Sequence, residues 1–111
     1  MPDHDPILLV LTNLPDHDAA LALADGLVQA RLAACVNVLP GCTSVYRWQG
    51  ATECAEEVRL LIKTTQARYA ALEARILADH PYELPEIVAV PVTQGLPGYL
   101  QWVAGETEAD S

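Results

Sequence analysis

The stretch His80-Pro81-Tyr82-Glu83-Leu84-Pro85-Glu86 runs directly into Ile87-Val88-Ala89-Val90-Pro91-Val92. The second half is β-branched and apolar on both faces, the pattern of a strand covered on both sides. The first half joins it to a helical pattern. A connector this short could be built from glycine and serine, yet it carries an imidazole, a phenol and two carboxylates. Pro81 and Pro85 fix their own φ and push their predecessors toward extended geometry, so the polar groups are held in place. The stretch reads either as a rigid helix-to-strand turn or as a presented set of functional groups.

Working outward, Ala67 to Asp79 is the preceding helix, with Tyr69, Leu72 and Ile76 facing inward. Before it, Thr52 to Thr65 is a long extended run with Val58, Leu60 and Ile62 on one face. Thr43 to Trp48 is a strand turned at Gln49-Gly50, and Ala33 to Leu39 is another, ended by Pro40-Gly41. Ile7 to Leu11 is a continuous apolar run closed by Thr12-Asn13. A helix opens at Pro15-Asp16-His17-Asp18, where proline and acidic residues suit a first turn. Its apolar stripe is Ala20, Leu23, Ala24, Leu27 and Val28. Beyond Val92, Pro97 to Ala104 is a short final helix bearing Tyr99 and Trp102, and Gly105 to Ser111 is an acidic tail.

This order predicts an α+β fold: a β-α-β-β-α-β ferredoxin-like sandwich with an extended hairpin, supplying an extra inserted strand, and a short C-terminal helix. Residues 1–111 form one domain on this reading, with 1–6 and 105–111 flexible. Two helices cover one face of such a sheet. The segments at 7–11 and 87–92 are apolar on both faces, so the second face needs cover of its own. Another copy of the chain supplies it most simply, predicting a homo-oligomer; the alternative is the hairpin or the final helix folding across that face.

Composition narrows the function. The chain has 6 basic and 15 acidic residues, a net charge of −9, and is 51% hydrophobic. That acidity argues against nucleic acid and anionic membranes as partners, since both need basic patches. No apolar run approaches the roughly 20 residues of a membrane span. The polar, acidic start from Met1 to Pro6 lacks the basic opening of a signal peptide, and three cysteines without a C-x-x-C pair fit a reducing compartment. A cytoplasmic location is expected. No nucleophile-elbow serine, phosphate-binding glycine loop or H-E-x-x-H motif is present, and no enzymatic activity or organic cofactor is expected.

Trp48, Lys63, Tyr82, Glu86 and Trp102 come from separate segments and together have the makings of a small-molecule pocket at a cleft between subunits: aromatic walls, one cation and one carboxylate. Packing at an interface between copies accounts for the aromatics equally well. Cys42 and Cys54 flank the hairpin without an assigned role, and Asp3-His4-Asp5 and Asp16-His17-Asp18 read as a solvated terminus and a helix start.

Five ordered motifs carry a resemblance. Arg31-Leu32-Ala33-Ala34-Cys35-Val36-Asn37-Val38-Leu39-Pro40-Gly41, Thr43 to Gly50, Glu57 to Thr65, His80 to Ile87 and Tyr99 to Trp102 are similar, in that order, to the CutA divalent-cation-tolerance family. The resemblance spans about Ile7 to Val103. It implies a ferredoxin-like protomer in a tight homotrimer, built like the nitrogen-regulatory PII signalling proteins, and a role in tolerance of copper and other divalent metals. It also implies candidate metal ligands. Cys35 matches the family's strand cysteine and offers a soft thiolate; the competing reading is a small buried hydrophobe. His80 matches the loop histidine and offers an imidazole; the competing reading is a helix C-terminal residue bonded to nearby carbonyls. Glu83 is the carboxylate that stands in if Cys35 is closed to the ion. The expected function is a copper-type metal-binding homotrimer of the cytoplasm; the alternative is a PII-like sensor of a small molecule or of an unidentified protein partner, with no physiological metal.

Overall fold

The computed structural model describes residues 4–109. Met1–Asp3 and Asp110–Ser111 lie outside them, so the expected flexibility of the two ends is addressed only in part. Four strands form one antiparallel sheet in the order β2-β3-β1-β4, with β1 Ile7–Leu14, β2 Cys35–Trp48, β3 Ala51–Thr65 and β4 Val88–Pro91. The helices are α1 His17–Gln29, α2 Gln66–Asp79 and α3 Pro97–Glu106. The architecture is the ferredoxin-like one.

The hairpin differs from the expected form. Pro40-Gly41 does not end a strand: β2 runs through it, with a register shift between Leu39 and Cys42. Gly41 takes a φ of 79°, and proline, lacking an N–H, is tolerated because β2 is an edge strand. No extra strand is inserted among the described residues. Instead β2 and β3 pair beyond the body of the sheet, since β1 pairs only with Val58 to Thr65. Gln49 and Gly50 both have positive φ, 51° and 83°, as a two-residue hairpin turn requires. The projecting ribbon helps stretch the molecule to 47 Å along its longest axis.

Alternation sets the two faces. Val10, Leu14, Val58, Leu60 and Ile62 point to one side and pack under Leu23, Leu27, Leu72 and Ile76 of α1 and α2. Asp16, not Pro15, caps α1: its Oδ1 accepts from the Ala19 N–H at 2.8 Å. Val28, expected in the buried stripe, is exposed at the margin of the helix layer. The other face carries Leu9, Leu11, Leu61, Val88 and Val90, brought into adjacent register by the pairings Leu9↔Val90, Leu11↔Val88 and Leu11↔Leu61. α3 covers one end of this face, packing Val103, Leu100 and Ala104 on Ile7 and Val92. Val88 and Val90 stay 45% and 47% exposed.

The end of α1 explains the Arg31-Leu32 pair. The Arg31 N–H bonds to the Val28 carbonyl and the Leu32 N–H to the Leu27 carbonyl, closing the helix with Arg31 in the left-handed region at φ 60°. Glycine normally occupies this position. Here the arginine side chain is used: its Nε and Nη2 donate to the carbonyls of Glu108 and Gly105, each at 3.0 Å, at the negative end of α3. Thr107 is buried and its hydroxyl donates to the Val103 carbonyl at 2.8 Å. Gly105 to Glu108, expected as a loose tail, is thus tied to the body. At the other terminus Asp5 Oδ2 accepts from the Ala67 N–H at 2.5 Å and Pro6 accepts from the Gln66 N–H at 2.9 Å, together capping α2.

Arg31→Ala keeps the left-handed backbone and loses both carbonyl contacts, so it should destabilise the fold by about 2 kcal/mol. Arg31→Gly loses the same contacts but relieves the backbone, and should recover about 1 kcal/mol of that. Urea unfolding at fixed protein concentration measures both; equal losses in the two variants would contradict this account.

Candidate functional site

β4 stops pairing at Val88↔Leu11, while β1 continues to Leu14. The Ile7 carbonyl accepts from the Val92 N–H on the β4 side, so by the two-residue period the Asn13 carbonyl faces that side as well, past the end of β4. His80 meets it. As the C-cap of α2 it sits 9% exposed, with Nε2 2.6 Å from the Asn13 carbonyl and Nδ1 3.1 Å from the Tyr82 N–H. A carbonyl only accepts and an amide N–H only donates, so the imidazole is the neutral Nε2–H tautomer with both nitrogens engaged.

This anchorage turns the 80–87 loop back over β3. Tyr82, with its ring 4.8 Å from the His80 ring, donates its hydroxyl to Glu57 Oε2 at 2.8 Å. Asn13 Nδ2 donates to Glu57 Oε1 at 3.2 Å, so both oxygens of this buried carboxylate have donors. Asn13 Oδ1 in turn accepts from Arg59 Nη1 at 3.0 Å, and the same nitrogen bonds Glu86 Oε1 at 3.0 Å. Burial, then the hydrogen bond to Glu57 and its charge, push the Tyr82 phenol well above its usual range, so Tyr82 remains a donor at any physiological pH.

The network floors a cleft of about 880 Å³ between the loop and the ribbon. Trp48 and Tyr46 line it from the ribbon, Glu57, Arg59 and Asn13 from the sheet, and Tyr82, Glu83 and Glu86 from the loop. Of the five residues expected at a cleft between subunits, Trp48, Tyr82 and Glu86 line this cleft within one protomer. Lys63 lies elsewhere, bonded to Asn37 beside Cys35, and Trp102 lies on α3 with its ring 5.6 Å from Tyr99. Asn13, Tyr46, Glu57 and Arg59 escaped the sequence reading. The signal available was Glu57 and Arg59, opposite charges two apart on one face of a strand whose other face is apolar at Val58, Leu60 and Ile62.

The three expected metal ligands are dispersed. Cys35 is opposite Lys63 and Lys63 opposite Leu9, whereas His80 meets Asn13; four strand residues separate the two levels, roughly 13 Å. Cys35 is half-buried near the Tyr99 hydroxyl, whose pKa rises chiefly from burial and secondarily from that thiol. Glu83 is exposed on the loop. Among the described residues no three His, Cys, Asp or Glu side chains converge in a way that could hold an ion. Cys42 and Cys54 lie at different ribbon levels, opposite Glu57 and Val45, and all three thiols are free.

The family model for the CutA1 divalent ion tolerance protein matches residues 8–106. The divalent-cation tolerance protein CutA of Thermus thermophilus is 46% identical over 99 residues, covering 89% of this chain and 96% of that protein. The chloroplastic protein CutA of Arabidopsis thaliana is 40% identical over 102 residues, covering 92% of this chain but 56% of that relative, so the chain spans little more than half its length. The solved structure of the divalent cation tolerance protein from Thermus thermophilus superimposes with a TM-score of 0.90 at 45% identity, covering 92% of this chain and 99% of that one. The strand order, the His80–Glu86 loop and a match along almost the whole length converge, and the chain belongs to the CutA1 divalent ion tolerance family.

Proposed function

We propose that the chain acts as a homotrimeric cation-tolerance protein of the cytoplasm, one domain per copy, with a binding role and no catalytic one. The observation that carries this reading is the sheet face bearing Leu9, Leu11, Leu61, Val88 and Val90, which α3 covers only at one end. Burying apolar side chains contributes about 25 cal/mol per Å², so a face of this kind favours association with a like surface. Free thiols and the acidic composition fit the cytoplasm, and no helix among the described residues is long and apolar enough to cross a membrane. The non-catalytic reading is supported by His80 and Glu57, whose polar atoms are bound into the fold instead of being presented to a substrate.

Copper-type binding through Cys35, His80 and Glu83 belongs, on this reading, to the assembly and not to a single protomer. Cys35 is on the sheet side that a neighbouring copy would meet, and Glu83 is on the exposed loop. His80 ligates only by giving up a hydrogen bond, so its weight as a ligand is the smallest of the three. A second reading, a trimer that binds a small molecule or a protein partner without a physiological metal, is favoured by the cleft at Trp48, Tyr82 and Glu86.

Light scattering after size exclusion should give three times the 12.0 kDa chain mass. Leu61→Glu should reduce it to the monomer mass, because a carboxylate would be buried against apolar side chains. A wild-type monomer at micromolar concentration would refute the assembly. Calorimetric copper titration under reductant should show weaker binding in Cys35→Ala, by about tenfold. His80→Ala should weaken copper binding less than Cys35→Ala does and lower stability by about 2 kcal/mol, from the loss of one buried and one part-buried hydrogen bond. A larger affinity loss in His80→Ala than in Cys35→Ala would overturn this ranking of the ligands.

A further inference from the structure

Building on the cleft as a small-molecule site, we propose that it takes an organic cation, a quaternary or primary ammonium, in preference to a bare metal ion. Its walls are aromatic: Tyr46 and Trp48 on the ribbon and Tyr82 on the loop. Its charge is unbalanced, with the carboxylates of Glu57, Glu83 and Glu86 against the single guanidinium of Arg59. Aromatic faces attract cations through their quadrupole, and a surplus of carboxylate adds to that attraction. An anion would meet repulsion from the same set, and the chain's net charge of −9 raises the local concentration of cations generally.

The hydrogen bonding separates organic cations from metal ions. A divalent ion requires several oxygens directly on the metal, about six for magnesium or calcium. Glu57 has one oxygen on Asn13 and the other on Tyr82, and Glu86 is bonded to Arg59. Gathering them around an ion would dismantle the network that holds the loop, with a fixed guanidinium alongside. A diffuse organic cation requires no such rearrangement: it interacts with ring faces and with the carboxylates at longer range. The volume of about 880 Å³ suits a molecule and exceeds what a bare ion fills. Pro81, Pro85 and the exposed Leu84 add apolar wall for the alkyl groups such a cation carries.

The test uses the full chain carrying Trp102→Phe, so that Trp48 is its only tryptophan, titrated with benzyltrimethylammonium and with spermidine. The expected result is a saturable change in Trp48 fluorescence, unaffected by equimolar magnesium and weakened about tenfold by Glu86→Gln or by Tyr46→Leu. Two substitutions on different walls guard against either one simply altering the fold. If neither cation changes Trp48 emission, or if magnesium competes at equal concentration, the organic-cation assignment is overturned. Titration with ATP and with a neutral nucleoside distinguishes the two levels of the argument. A Trp48 response to one of these but to neither ammonium would sink the cation assignment and leave the small-molecule site standing. No response to any of the four would remove both.

Discussion

An antiparallel sheet whose central strand β1 is apolar on both sides has to be covered twice, and this chain carries two long helices for one side only. β1 and β3 place Val10, Leu14, Leu60 and Ile62 under α1 and α2, and the same strands place Leu9, Leu11 and Leu61 on the other side. α3 answers part of the demand at Ile7 and Val92. The loop from His80 to Glu86 and the ribbon then border the part that α3 leaves open. The cleft is therefore set beside the uncovered face by the same topology that leaves that face uncovered.

The position of the loop follows from a mismatch of strand lengths. β4 pairs along four residues of β1, and the Asn13 carbonyl lies past its end. A buried carbonyl without a donor is costly, and His80 supplies one from the C-terminus of α2. Asn13 then works twice over. Its backbone fixes the imidazole and its side chain bridges Arg59 and Glu57, so the loop, β1 and β3 are locked together through one residue. Tyr82 completes the circuit by covering the second oxygen of Glu57. With its hydrogen bonds made inside the protomer, the histidine that draws the eye as a ligand is first a structural latch.

The ribbon shows how one local signal supports two outcomes. Pro40-Gly41 is a breaker pair by composition, and on an interior strand it would have ended the pairing. On an edge strand the missing N–H faces away from the ladder, and Gly41 absorbs the distortion as a bulge. The strand thus continues to Trp48 and carries its aromatic residues out to the cleft.

By itself the sequence determined the element types, the ferredoxin-like order, the two-faced apolar strands and the Gln49-Gly50 turn, because these rest on periodicity and on local backbone preference, which short stretches encode. It also grouped Trp48, Tyr82 and Glu86, which the protomer brings around one cleft, since each is an unusual residue in its own segment. Only the tertiary structure brought Glu57, Arg59, Asn13 and Tyr46 beside them within the protomer and set Lys63 and Trp102 at other places in it. Only the tertiary structure separated Cys35 from His80 and engaged both imidazole nitrogens. The reason is register: which residue stands opposite which is fixed by pairings such as Asn13↔Arg59, 46 positions apart, and no local pattern records a partner at that distance.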